Sequence, residues 1–171
     1  NPVRLLNPLA SQSSVMRSTL LGSLLGNVRY THARKLSRIR VFEVGRVYLR
    51  DASAADGPLA VAGLRQPVRV AGAAFGPALE EQWGSATRAV DFFDVKADLE
   101  AIYAPRRPRF EAAAHPALHP GRSARVMVKR GGSYEHKGWL GELHPRWQQK
   151  YELPQPVLLF ELEAESLAEA P

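Results

Sequence analysis

Apolar residues recur at helical spacing in the first part of the chain, and this pattern predicts an amphipathic helix over about residues 14–35. Serines within residues 11–14 are candidate N-caps directly ahead of it. Gly22 and Gly26 lie one turn apart, off the apolar stripe, and each weakens a helix relative to alanine. Close approach of another backbone and simple tolerance of glycine explain their presence equally well. The stripe itself consists of Met16, Leu20, Leu21, Leu24, Leu25 and Val28.

The pattern then changes to β-branched and aromatic residues in near alternation, which is typical of strands. Residues 38–49 and 67–75 are predicted strands, joined by a loop at 50–66 that is rich in alanine, glycine and aspartate. A second amphipathic helix is predicted over residues 91–103, with an apolar face made of Phe92, Val95, Leu99 and Ile102.

Two carboxylates open this second helix. Asp91 and Asp94 lie three residues apart in its first turn, where carboxylates accept backbone N–H groups and stabilise the positive end of a helix. Helix capping therefore explains the pair more simply than acid–base catalysis does.

The rest of the chain alternates short strands with turns. Because helices and antiparallel hairpins are segregated along the sequence, the predicted fold class is α+β, with a mainly antiparallel sheet flanked by helices. A turn at Gly131-Gly132 joins two of the predicted strands. The strands are predicted at 109–113, 123–129, 138–143 and 156–163, and a short helix at 145–151.

Three of the five histidines, His115, His119 and His144, stand directly before a proline. Two histidines four residues apart bind one metal ion when they share a helix face, but a residue before proline is driven into extended conformation. Four extended residues span about 13 Å, so the first two rings would not reach one ion without a sharp reversal. We instead predict a turn at Pro120-Gly121, with the His119 ring hydrogen-bonded to backbone.

Composition narrows the class of protein. The 171 residues are 45% hydrophobic, which fits one globular domain. With no cysteine there is no disulfide, thiolate metal site or cysteine nucleophile, and a reducing, cytoplasmic setting is expected. There is no apolar run of about 18 residues, so no transmembrane helix is expected. The first residues, Asn1-Pro2, lead us to expect a piece of a longer polypeptide.

Charge favours an anionic partner, since the net charge is +6 and the pI is about 10.0. Arg106, Arg107 and Arg109 form one basic cluster that is a candidate for nucleic-acid contact, although solvated surfaces produce such clusters as often. Glu142 near His144 suggests a base and its orienting partner, but no nucleophile accompanies them. Nucleophile elbows, Walker loops and dinucleotide fingerprints are all missing, so no active site is visible.

Five sequence segments occur in a distinctive order along the chain. They are N-P-L at 7–9 with S-V-M-R-S-T-L-L at 14–21, F-E-V-G-R-V-Y at 42–48, W-G at 83–84 with D-F-F-D-V-K at 91–96, H-P-A-L-H-P-G-R-S-A at 115–124 and L-G-E-L-H-P at 140–145. Together they resemble the β subunit of bacterial phenylalanyl-tRNA synthetase, in its class II catalytic-like region. Some positions depart from the family pattern: Gly22-Ser23 replaces Pro-Gly, Ala97 stands where glycine is common, and residues 10 and 11 differ.

The resemblance implies a catalytic-like synthetase domain over residues 1–162 and a linker to the next domain at 163–171. It implies membership of an α2β2 ligase that makes phenylalanyl-tRNA from ATP, phenylalanine and tRNA(Phe), with Mg²⁺. Catalysis resides in the α subunit, and the editing site lies in another β-subunit region. A class II motif of the type G-x-G-x-x-R is absent here, so this chain is expected to hold no catalytic, cofactor-binding or metal residue and to catalyse no adenylation.

By this resemblance, the chain is expected to be a scaffold for the α subunit. The apolar stripe of the first helix is expected to be divided, with some side chains at the subunit interface and the others packed on the chain's own sheet. Its residues are Met16, Leu20, Leu21, Leu24 and Leu25. A structural signature is expected at His115, His119, Pro120, Gly121, Glu142 and His144, where replacing His119 should damage folding or assembly and not a chemical step. The alternatives are a basic RNA-binding domain that holds tRNA without a synthetase partner and, less favoured, a histidine-based metal hydrolase.

Overall fold

A computed structural model describes residues 2–6 and 14–168 as an α+β fold, the predicted class. The four helices are α1 Leu21–Ala33, α2 Phe92–Tyr103, α3 Pro145–Lys150 and α4 Glu165–Ala168. The strands are β1 Ile39–Arg46, β2 Leu49–Arg50, β3 Leu64–Arg65, β4 Val68–Phe75, β5 Arg109–Ala112, β6 Leu118–Arg130, β7 Ser133–Leu143 and β8 Leu158–Glu163. No helix among these residues is both long and apolar enough to cross a membrane.

Six of the strands form one sheet in the order β1-β4-β8-β7-β6-β5, and every neighbouring pair is antiparallel. The short β2 and β3 pair with each other inside the connection between β1 and β4. The predicted antiparallel sheet is therefore confirmed, as is the hairpin that turns at Gly131-Gly132, where both glycines have positive φ.

Neighbouring strand residues point to opposite faces of the sheet, so both faces carry apolar side chains that a helix must cover. The two faces are named after their long helices, the α1 face and the α2 face. The α1 face buries Leu20, Leu24 and Val28 against Ala71, Phe75 and Leu159. The α2 face buries Val95, Leu99 and Tyr103 against Val126, Leu140 and Leu162.

The first helix begins later than its apolar periodicity predicts. Residues 3–5 and 14–16 are extended and paired: the Leu5 N–H donates to the Ser14 carbonyl (2.9 Å) and the Met16 N–H to the Val3 carbonyl (2.8 Å). Met16 is therefore not helical, and Ser14 is not a cap. Residues 7–13, which include the other candidate capping serines and the N-P-L segment, lie outside the described residues.

The apolar stripe of α1 is part of this chain's own core. Leu20, Leu21, Leu24 and Leu25 are 0%, 5%, 3% and 5% exposed and pack with the α1 face of the sheet. How much of the stripe, with Met16, also reaches a subunit interface stays a prediction, and Leu21 and Leu25 border an open cleft. The four leucines nevertheless belong to the core. The physical reason is that α1 must cover the apolar side chains of β4 and β8.

The predicted Pro120-Gly121 turn is also wrong. Leu118 pairs with Leu143 and Ser123 with Gly141, so residues 119–122 stand opposite one residue of β7 and form an irregularity inside β6. Since proline has no N–H to give to a ladder, the strand is interrupted here without reversing.

Residues predicted as a linker belong to the packed domain as far as Ala168. Ser166 is 1% exposed and its hydroxyl lies 2.7 Å from the Tyr103 hydroxyl. The Arg106 guanidinium donates to the Ser166 carbonyl at 2.8 Å, which holds α4 against the end of α2. Residues 169–171 lie outside the described part of the chain.

The second helix begins as predicted. Asp91 is its N-cap and accepts the N–H groups of Phe93 and Asp94, while the Asp94 carboxylate accepts the Asp91 N–H, which completes a capping box. Arg88 donates two hydrogen bonds to Asp94, at 2.7 and 2.6 Å. The predicted apolar face is partly corrected, because Ile102 is exposed and Tyr103 is buried in its place.

We expect this cap to make the free energy of unfolding depend on pH in the acid range. The Arg88 hydrogen bonds, with the Asp91 N–H, lower the pKa of Asp94 from 3.8 to about 2. The folded state therefore gains stability that is complete above pH 3.8 and is lost as the pH falls toward 2. Urea unfolding of Asp94→Asn should show a weaker decline over this range than the wild type, whereas Ala97→Asn, at an exposed uncharged position of the same helix, should decline like the wild type. Equal declines in all three proteins would contradict the assignment.

Candidate functional site

The three histidines that precede proline share one arrangement. Proline has no N–H, so the first donor after each histidine is two residues further along the chain. In each case the imidazole Nδ1 accepts this N–H and closes a small hydrogen-bonded ring with the local backbone, as aspartate and asparagine side chains do, without requiring the chain to reverse. The pairs are His115 with Ala117 at 3.2 Å, His119 with Gly121 at 3.1 Å and His144 with Arg146 at 3.2 Å.

These contacts explain what the histidines do locally. The bond to Gly121 is the backbone hydrogen bond predicted for His119. His144 in addition is the N-cap of α3, with Pro145 at the first helical position. Among residues 2–6 and 14–168, no group of three or more histidine, cysteine, aspartate or glutamate side chains is placed to hold a metal ion.

Glu142 and His144 have separate partners. Both Glu142 oxygens accept from one guanidinium nitrogen of Arg122, at 3.0 and 2.8 Å. The idea of a base and its orienting carboxylate is therefore wrong for this pair, because each side chain is engaged elsewhere. Arg122 and Glu142 instead border a shallow recess together with Asp91 and Phe92, so three of the motif segments meet there.

Glu161 is the most buried charged side chain among the described residues, with 6% exposure. One carboxylate oxygen accepts the Thr19 hydroxyl (2.8 Å) and the Leu20 N–H (2.7 Å). The other oxygen forms an ion pair with Arg69 of β4. A buried carboxylate requires such compensation, and here it joins β8, β4 and the start of α1.

Sequence reasoning missed Glu161, although a signal was present. It is the one charged residue inside the apolar run of β8, at a position that faces α1. A carboxylate in the middle of a buried strand predicts a cationic or hydrogen-bonding partner. Nothing in the local sequence says which residues those partners are.

A cleft of about 510 Å³ opens beside this carboxylate, and we call it the α1–α3 cleft. Its polar wall holds Arg69, Glu161 and His115, and Arg146 and Trp147 of α3 lie across from α1. Burial lowers the pKa of His115; the negative charge of Glu161 opposes this effect, while the positive charge of Arg69 adds to it. The neutral ring, which accepts the Ala117 N–H, is thus the favoured form.

The basic cluster considered for tRNA is partly engaged within the domain. Arg106 donates to the carbonyls of Ser166 and Leu167. The Arg109 guanidinium lies 4.0 Å from the centre of the Tyr134 ring, in cation–π geometry. Arg107 is exposed. The structure therefore separates the three arginines into one that holds α4 and two at the surface.

The sequence model described as the phenylalanyl tRNA synthetase beta chain CLM domain matches residues 1–164. The chain belongs to this family. Similar proteins named phenylalanine–tRNA ligase beta subunit are found in Cupriavidus pinatubonensis (58% identical over 170 residues), Ralstonia nicotianae (60% over 166) and Bordetella pertussis (54% over 171). These matches cover 99%, 97% and 99% of the chain, which spans only 20%, 20% and 21% of those relatives.

The motif segments that indicated this family occupy distinct places in the CLM domain. The F-E-V-G-R-V-Y segment covers most of the edge strand β1, and D-F-F-D-V-K forms the capped start of α2. The H-P-A-L-H-P segment leads from the α1–α3 cleft into β6, and L-G-E-L-H-P ends at the start of α3.

We expect His115 to stabilise the CLM domain through its neutral ring. Because its pKa is lowered, this contribution is complete above about pH 6.5 and is lost as the pH falls below that value. His115→Ala should lose about 1 kcal/mol of unfolding free energy at pH 8, since the Ala117 N–H loses its acceptor. His115→Asn, whose side-chain oxygen can accept the same N–H, should retain most of it and show a flatter profile between pH 5 and 7. A wild-type profile in His115→Asn would contradict the assignment.

We expect the Glu161 carboxylate to contribute strongly to stability. Glu161→Leu leaves Arg69 without its partner and should lower the free energy of unfolding by about 3–5 kcal/mol in chemical denaturation. Replacing both residues, Glu161→Leu with Arg69→Met, should be less destabilising than Glu161→Leu alone. Glu163→Ala, two positions along β8 and half exposed, should change stability by less than about 1 kcal/mol. Similar effects for Glu161→Leu and Glu163→Ala would refute this role.

Proposed function

We propose that the chain is the non-catalytic core module of the β subunit of a phenylalanine–tRNA ligase, with a class II catalytic-like fold. It scaffolds the α subunit, which makes phenylalanyl-tRNA from ATP, phenylalanine and tRNA with Mg²⁺. The observation that carries this proposal is the family match over residues 1–164, nearly the whole chain. The six-stranded antiparallel sheet with helices on both faces is consistent with it.

The missing class II arginine motif supports a module without catalysis of its own. Adenylation requires cationic groups that stabilise the charge developing on the phosphates. The sequence has no G-x-G-x-x-R segment, and Arg69 of β4 is engaged by Glu161. We therefore assign ATP and Mg²⁺ to the α subunit.

The outer surface of α1 is the surface we assign to the α subunit. Its buried stripe faces the chain's own sheet, so the opposite side is the one available to a partner. Gly22 and Gly26 are exposed, and a Cβ added at either would meet nothing within 4 Å. No other described residue packs closely against these two glycines, so the space beside them is open to a partner. Tyr30, 60% exposed, follows one turn later and supplies an aromatic contact.

Contact with tRNA is a second part of the proposal and rests on the surface arginines Arg107 and Arg109. Arg106 is removed from it, because its guanidinium is engaged with α4. A free-standing RNA-binding domain is not favoured, since the family match ties the chain to a ligase subunit.

A retention assay with the full-length β subunit tests the scaffold proposal. The double substitution Gly26→Glu with Tyr30→Glu should reduce recovery of the α subunit about tenfold or more, because an interface that buries unpaired carboxylates loses several kcal/mol. The control is Ala97→Glu with Ala101→Glu, which has the same spacing on the exposed side of α2. Circular dichroism should show both variants folded. Full retention by the α1 variant would refute this interface.

A further inference from the structure

We propose that the α1–α3 cleft is a binding site for a small organic monoanion with an apolar or aromatic body. The first argument is size. The cleft, about 510 Å³, lies within the range of about 300–1,000 Å³ that is usual for small-molecule sites.

The second argument is the chemistry of the apolar walls. Leu25 of α1 and Leu49 of β2 line the cleft together with the aromatic rings of Trp147 and Tyr151. Trp147 and Tyr151 are only partly buried against the core. The Trp147 ring has Arg146 at 5.2 Å and Lys150 at 5.0 Å from its centre, in cation–π range. Such a surface selects a flat apolar body through dispersion and ring contacts.

The third argument is the balance of charge and hydrogen-bonding capacity. Glu161 is the acidic residue lining the cleft, and the Thr19 hydroxyl, the Leu20 N–H and Arg69 already occupy its two oxygens. It therefore offers little to a cation.

Donors, in contrast, are left open. Arg146 is exposed and forms no ion pair with any residue of the described chain. His115 uses Nδ1 as an acceptor, so its neutral ring presents Nε2–H as a donor. Arg69 balances Glu161, which leaves the positive charge of Arg146 uncompensated. One net positive charge with open donors favours a carboxylate, sulfonate or similar monoanion.

Binding to the full-length protein tests the site with two probes of the same body and opposite charge. We expect 2-naphthoate to bind saturably in calorimetry and 2-naphthylmethylamine, a cation, to bind about tenfold more weakly or not at all. Arg146→Gln should remove most of this preference. Absence of saturable naphthoate binding, or equal binding of the two probes, would overturn the proposal.

Two glycines of α1 supply a matched pair for locating the site. Gly22 lines the cleft and Gly26 does not, and a Cβ added at either position meets nothing within 4 Å. Because both lie inside a helix, leucine at either position favours helix formation. Gly22→Leu should weaken naphthoate binding about tenfold or more, and Gly26→Leu should leave it unchanged. Unchanged binding in Gly22→Leu would refute the location, whatever the α-subunit retention assay shows.

Discussion

The buried carboxylate of Glu161 is the interaction on which the arrangement of this domain depends. A charge taken out of water must be compensated by a cation and by hydrogen-bond donors. Arg69 supplies the cation, and the Thr19 hydroxyl and Leu20 N–H supply the donors. The helix begins directly after Leu20, whose N–H donates to this carboxylate, and from that point its leucines lie over the sheet. One side chain thus sets both the start of α1 and its position.

Histidine before proline has a structural meaning here. Proline withholds one N–H and extends the residue before it, and the imidazole Nδ1 then accepts the next available N–H. The arrangement recurs at His115, His119 and His144, at the edge of the cleft, in the irregular part of β6 and at the cap of α3. The residue types that first suggested metal chemistry therefore shape the local backbone, and one of them, His115, does so at the cleft.

Two surfaces of α1 carry the proposed roles. The outer side, with Gly26 and Tyr30, is the side assigned to the α subunit of a phenylalanine–tRNA ligase. The end of the helix near Gly22 borders the α1–α3 cleft, to which we assign a small anion. The domain can keep a cleft of ligand size because the walls of that cleft also support the core.

Local sequence determined the elements whose signals act over a few residues. Asp91 and Asp94 fixed the start of α2, near alternation identified β1, an apolar run identified β8, and Gly131-Gly132 marked a turn. Ordered motifs were enough to indicate the family. Tertiary structure alone decided the start of α1, whose Leu20 N–H meets a carboxylate 141 residues away, and the burial of its leucines. It also decided that residues 119–122 interrupt a strand instead of reversing it, and that Arg106 holds α4. Periodicity reports which side chains are apolar, but partners distant in sequence determine what those side chains and the buried charges contact.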